Sequence, residues 1–242
     1  MSLPRDLVVP VLERIVEATG GVEVHGADGG PFLTLTAADG GGPGGSVRLF
    51  ESPALPRLVY CNLDLAAHDL DSHMLYGFAP AASGVPHFTV DAVDAHGVLA
   101  FHADLMPRVD LATHVPYMNA VLTQLDDAFA AVQGDDAFLP AMLSPRQRAL
   151  MSPWMLANRL TRERFDVAEA PVRTYVEHWL GLVVDGADEA AWGLGDTDLP
   201  ARDASLRRTV FGGDVDPAWD MAAKAVGAEP IRTLRGLLVG TA

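Results

Sequence analysis

Between residues 31 and 105 the chain passes through six short apolar segments, 31–38, 46–51, 57–65, 72–79, 86–93 and 98–105. Gly, Pro, Asp and Ser separate them, and several are β-branched or aromatic. None of the gaps has room for the dozen or more residues that a parallel crossover needs. Consecutive strands this close together can pair only as an antiparallel meander. Helical patterning lies on either side. The stretch "MSLPRDLVVPVLERIVEATG" reads as an opening helix. From Thr113, a plausible cap, Met118, Val121, Leu122, Leu125 and Phe129 follow at helical spacing. A further helix over 168–184 carries Val172, Tyr175, Val176, Trp179, Leu180 and Val183 on one stripe. Shorter ones are expected over 201–211, 218–226 and 229–238, with "GGDVD" as a loop. Strands bracketed by helices from both ends of the chain predict an α/β fold, a three-layer α/β/α sandwich with a central antiparallel sheet flanked by helices. Neither an internal repeat nor a long linker divides the chain, so residues 1–242 read as a single domain.

Composition narrows the function classes. Apolar residues make up 49% of the chain, enough for a sizeable core, yet the longest apolar runs, 8–12 and 180–184, fall far short of the ~20 residues of a membrane span. No small-residue cleavage site follows an apolar stretch near the N-terminus, so a cytoplasmic location is expected. With 1 cysteine, Cys61, an intramolecular disulfide and a thiolate-held cluster are both excluded, and any redox chemistry must borrow its electrons. A formal net charge of −15 argues against nucleic acid, whose phosphates need a basic surface. "GGGPGG" at 40–45 contains Pro43 and lacks the Lys and helix of a phosphate loop, so it reads as a hairpin turn.

The stretch "PHFTVDAVDAHGVLAFHADLMPRVDL", 86–111, is two strands joined at Ala95-His96-Gly97, with charge where a strand more comfortably carries Val or Thr. His87, Thr89 and Asp91 alternate with Phe88, Val90 and Ala92, so the three polar residues share one face. In a sheet open to water that pattern is an ordinary solvated face. Under helices on both sides, such a stripe must line a cleft or be well paired.

"PHFTVDAV", a turn, "ADLMPRVDL" and a helix containing "YMNAVL" resemble the central segment of the ferredoxin-dependent bilin reductase superfamily, most closely its red chlorophyll catabolite reductase branch. "RDASLRRTVFGGDVD" and "EPIRTLRGLL" are similar in spacing to that branch's last segment. The likeness covers about 56–131 and 168–240. It implies an oxidoreductase that binds an open-chain tetrapyrrole between the sheet and the C-terminal helices and holds no cofactor. Ferredoxin supplies electrons singly and the protein supplies protons. Asp91 matches the strand acid that protonates the substrate in bilin reductases, which is Glu in the chlorophyll catabolite branch, and Asp214 matches the second acid of the chlorophyll catabolite enzymes. A substrate radical anion gains basicity, and a carboxylic acid in an apolar pocket can then donate to it. His87 is expected to orient Asp91, while Asp104 is expected to tie its strand end to the next helix. The pattern also departs from the family. Where cyanobacterial-type members carry Glu and His, this chain has Asn62 and Met74, with His73 one residue out of register and so on the opposite face unless a bulge intervenes.

Ferredoxin is acidic, so docking needs a local basic patch, for which Arg146, Arg148, Arg159, Arg162, Arg164, Arg207 and Arg208 are available. Arg207 or Arg208 could instead fork onto a substrate propionate. Most of these arginines read equally as ordinary helix-surface charge, and the tryptophans as core, with Trp219 and Met221 beside the Asp214 loop the ones to watch for ligand contact. Two other classes stay open. One is a tetrapyrrole binder without catalysis. The other is a non-heme iron enzyme using His102 and Asp104 with a distant His178, a common pattern in a chain with 8 histidines; "HDLDSH", 68–73, reads as a polar turn. A homodimer is left open, and no Gly-x-Ser-x-Gly elbow points to a hydrolase.

Overall fold

The computed structural model describes residues 2–213, 215 and 218–241. Its sheet is built from the meander the sequence predicts: β2 (Leu33–Thr36), β3 (Pro43–Glu51), β4 (Arg57–Leu65), β5 (Leu70–Phe78), β6 (His87–Ala95) and β7 (Val98–Met106). Three strands were not expected. β1 (Val22–Val24) and β2 both pair with β3, while β9 (Leu156–Leu160) adds to β7 and carries the short β8 (Leu139–Pro140) on its outer edge. The order is β1-β3-β4-β5-β6-β7-β9-β8, with every pair antiparallel. "LANRL" is too short and polar to signal a strand by pattern. It becomes one because β7 offers it a ladder.

The alternation of each strand divides the core into two layers. Leu58, Tyr60, Phe88, Val90, Ala92 and Phe101 face α1 (Leu3–Thr19) and, from the second half, α2 (Val115–Val121), α3 (Asp126–Gly134) and α5 (Glu169–Val184). Val59, Cys61, Leu63 and Met106 face α6 (Leu199–Val210), α7 (Ala218–Val226) and α8 (Ala228–Val239). A short α4 (Pro145–Leu150) precedes β9. The protein is thus an antiparallel sheet between two helical layers. Among the described residues no helix is long and apolar enough to cross a membrane.

The opening helix has the ends its sequence implies: the Ser2 hydroxyl accepts from the Arg5 amide at 3.0 Å, Pro4 sits in the first turn, and Gly20 closes it at φ 64°. The helix expected from Thr113 is broken. Thr113 spends its hydroxyl on the Asp110 carbonyl and His114 instead of capping, and a 3-10 turn over Thr123–Leu125 separates α2 from α3. At the centre of the first layer, Trp179 stacks on Phe88 with ring centroids 5.2 Å apart and donates its Nε1–H to the Pro86 carbonyl at 2.8 Å. A Cβ on Gly77, across the ladder from Phe88, would meet that indole at 2.6 Å, so a side chain is excluded there.

Candidate active site between the sheet and the C-terminal helices

The β6–β7 hairpin turns through His96 and Gly97, both at positive φ (52° and 74°), a two-residue connection whose twist matches the strands. Residues equidistant from that turn face each other. Asp91 is therefore opposite His102, and Thr89 is opposite Asp104. All four point toward the α6–α8 layer, where a cavity of about 250 Å³ opens. Thr89, Asp91, Ala100, His102 and Met106 form its floor. Val210, Phe211, Val215 and Trp219 form one wall, and Ala141, Leu143, Gln147, Met151 and Met155 form the other. Of the strand's polar stripe, Thr89 and Asp91 line this cleft, while His87 is paired elsewhere, so the alternation under a helical layer is met in both ways.

His102 is the chemical centre of this cavity. Its Nδ1 lies 2.9 Å from Asp91 Oδ2, so Nδ1–H donates to the carboxylate. Its Nε2 is buried and has no partner among the described residues. Burial favours the neutral ring, but the charge and hydrogen bond of Asp91, with the charge of Asp104, outweigh it and hold the His102 pKa above its ordinary value. The arrangement is an imidazole biased toward its charged form by a carboxylate, with Nε2 facing the cavity. Asp104 itself is buried and accepts from the Ser152 amide at 3.0 Å and the Ser152 hydroxyl at 2.5 Å. Burial pushes its pKa up, against the opposing pull of His102 and Ser152. It anchors the segment leading to β9, not the helix that follows β7.

Several expected site residues lie elsewhere. His87 shares Asp91's face but is sealed from it in another cluster. The Ala79 amide donates to its Nδ1 at 3.2 Å, and its Nε2–H donates to Asp203 at 2.6 Å, 3.2 Å from which lies the buried Arg108. An amide can only donate, so Nδ1 carries no proton and His87 is neutral; burial lowers its pKa to about 4. His102, not His87, is the partner of Asp91. Asn62 and His73 pair with each other across β4 and β5 on the α1 side of the sheet, because they are an odd number of residues from the Asp91 face. There Ser46 donates to Asn62 at 2.8 Å, and Tyr60 (2.6 Å) and Asp71 (3.0 Å) bracket His73 in a separate polar cleft. Met74 is directly opposite Asp91 in the ladder but does not line the cavity.

Arg207 is committed to structure. It donates to the carbonyls of Leu238 (2.6 Å) and Leu237 (3.0 Å), and its guanidinium lies 3.9 Å above the Phe78 ring, closing the end of α8. Arg208 is exposed on α6, away from the cavity lining. Trp219 does line the cavity, and its Nε1 finds no partner among the described residues, whereas Met221 points outward, 64% exposed. Asp214 lies outside the described residues; its neighbour Val215 is in the cavity wall. The iron set does not assemble: His178 sits on α5, across the sheet, bonded to the Val121 carbonyl at 2.7 Å. Among the described residues no group of three His, Cys, Asp or Glu side chains is placed to hold a metal.

The role of His102 beside Asp91 is what sequence reasoning missed. The signal was present in the turn, since a two-residue connection at His96-Gly97 fixes the cross-strand register.

No known family's sequence profile matches the chain, and no curated protein matches it in sequence. Among solved structures, phytochromobilin synthase from tomato, in complex with biliverdin, superposes with a TM-score of 0.72 at 14% sequence identity, over 98% of this chain and 83% of that one. An identity this low speaks for architecture alone, and the chain has the fold of that protein.

Proposed function

We propose that this protein is a bilin-reductase-like oxidoreductase that reduces a conjugated pyrrole-type substrate in the cavity over β6 and β7, with single electrons from ferredoxin and protons from its own side chains. The observation that carries the reading is His102: Nδ1 held by Asp91, and Nε2 buried in the cavity lining without a partner among the described residues. When a bound substrate takes up an electron its basicity rises, and the His102 Nε2–H is the donor next to it. His102 then becomes neutral with its Nδ1 proton retained on Asp91's side, and Asp91 stabilises the charged form before transfer. Asp214, adjacent in sequence to the cavity residue Val215, is the second proton donor in this reading. The fold shared with a protein crystallised with biliverdin supports the substrate class. The Pro-x-Phe-x-x-Asp strand motif supports kinship with the superfamily as a whole, and the spacing of "RDASLRRTVFGGDVD" and "EPIRTLRGLL" is what favours the red chlorophyll catabolite branch, in which the strand acid is Glu.

The test is an anaerobic absorbance titration with conjugated pyrroles, biliverdin and a two-ring dipyrrinone, carried to saturation and followed by reduced ferredoxin. A bound spectrum that bleaches or moves to shorter wavelength is expected. A bound spectrum that reduced ferredoxin leaves unchanged would make the protein a carrier, and absence of binding by every conjugated pyrrole would overturn the reading.

A further inference from the structure

We propose that the cavity takes a small, carboxylate-free conjugated nitrogen heterocycle, on the scale of two linked pyrrole rings, and not a whole four-ring bilin carrying acid side chains. This rests on the reductase reading above and narrows its substrate.

Size is the first argument. The cavity holds about 250 Å³, below the ~300–1,000 Å³ of pockets that enclose drug-sized ligands. A two-ring ligand is closer to this volume than a four-ring chain. Charge is the second. Among the described residues lining the cavity none is Lys or Arg. A propionate brought into this space would meet Asp91, while His102 is already paired with that carboxylate and Arg235, behind the wall, is engaged by the Phe211 carbonyl at 3.0 Å. Of the two cations the sequence offered to fork onto an acid, Arg207 is occupied by the Leu237 and Leu238 carbonyls and Arg208 is exposed on α6, outside the cavity lining.

The third argument is the set of unsatisfied polar atoms. Thr89 Oγ1 and His102 Nε2 on the floor and Trp219 Nε1 on the wall are buried and have no partner among the described residues. Thr89 is 2% and Trp219 7% exposed. Buried polar atoms without partners are costly, and three around one cavity define what should fill it. An indole N–H only donates, so the ligand must present an acceptor to Trp219. A lactam carbonyl meets that need, and a ring nitrogen or second carbonyl meets His102. Met106, Met151 and Met155 supply polarizable surface for a flat ring.

Equilibrium titration of the full chain with three probes tests this: a neutral dipyrrinone, the same dipyrrinone bearing a propionate arm, and biliverdin as its diacid. The neutral dipyrrinone is expected to bind one to one, about tenfold or more tighter than either acid. Trp219→Phe, which keeps an aromatic side chain and removes the donor, is expected to weaken it by roughly five- to tenfold with an unchanged far-UV circular dichroism spectrum. Biliverdin binding as tightly as the neutral dipyrrinone, or tighter, overturns the inference while leaving the reductase reading in place. Unchanged dipyrrinone affinity in Trp219→Phe overturns it too. If no probe binds, both fall together.

Discussion

His102 and His87 lie on the same side of the same hairpin, yet their surroundings drive them in opposite directions. His102 has two carboxylates near it and is held toward the imidazolium; His87 is sealed with Arg108 and Arg207 nearby and is held neutral, its pKa about 4. The stability consequences have opposite signs. His87 contributes stability that is complete above the ordinary ~6.5 of an unfolded histidine and is lost as pH falls through about 4, on the order of 3 kcal/mol. Urea midpoints measured from pH 7.5 down to 4.5 should therefore fall, and His87→Gln, already destabilised, should show a flatter profile. The contribution of His102 is present below about 6.5 and lost as pH rises through its raised folded-state value. Reduction of a bound substrate should weaken with pH over that same alkaline range. At this scale the sequence was half legible. Alternation put Asp91 on the cavity face and His73 on the other, but which histidine meets Asp91 depended on the turn register, and the fate of Arg207 depended on where α8 ends, which no local pattern reports.

At the scale of elements, the contacts that place the site are those between the sheet and α6. Asp203, on α6, receives the His87 N–H at 2.6 Å and lies 3.2 Å from an Arg108 nitrogen, while Arg108 also donates to the Ala81 and Val85 carbonyls at 2.9 and 3.2 Å. Burial opposes the ionised carboxyl, but His87, Arg108 and Arg207 together hold the Asp203 pKa below its ordinary value. Asp203→Asn leaves a buried guanidinium without its counter-charge and is expected to cost roughly 3–5 kcal/mol, read as a shift in the urea midpoint. On the other face, Gly77→Ala drives a methyl into Trp179 and should cost about 1–3 kcal/mol. The meander and the helices over 169–184, 199–210 and 228–239 were legible because long, strongly periodic or closely spaced segments leave few alternatives. The break between α2 and α3 and the strand β9 were not, since both arise from tertiary partners overriding weak local preference.

At the scale of the molecule, a net charge of −15 opposes an acidic electron donor, so in the proposed reading docking falls to a few arginines. Arg162 and Arg164 are paired with Asp94 and Asp135, and Arg207 is spent on α8, whereas Arg148, Arg159 and Arg208 are exposed. Arg148→Glu is expected to slow reduction by ferredoxin about tenfold at low salt and to leave ligand affinity unchanged. The central claim is that His102, backed by Asp91, delivers a proton to a reduced ligand. Single-turnover bleaching of a saturated ligand by reduced ferredoxin, compared between the wild type and His102→Gln, tests it most directly. The account predicts the same bound spectrum, with bleaching slowed by about 10²-fold or more and its decline at alkaline pH abolished. Bleaching at the wild-type rate with the wild-type pH profile would contradict it.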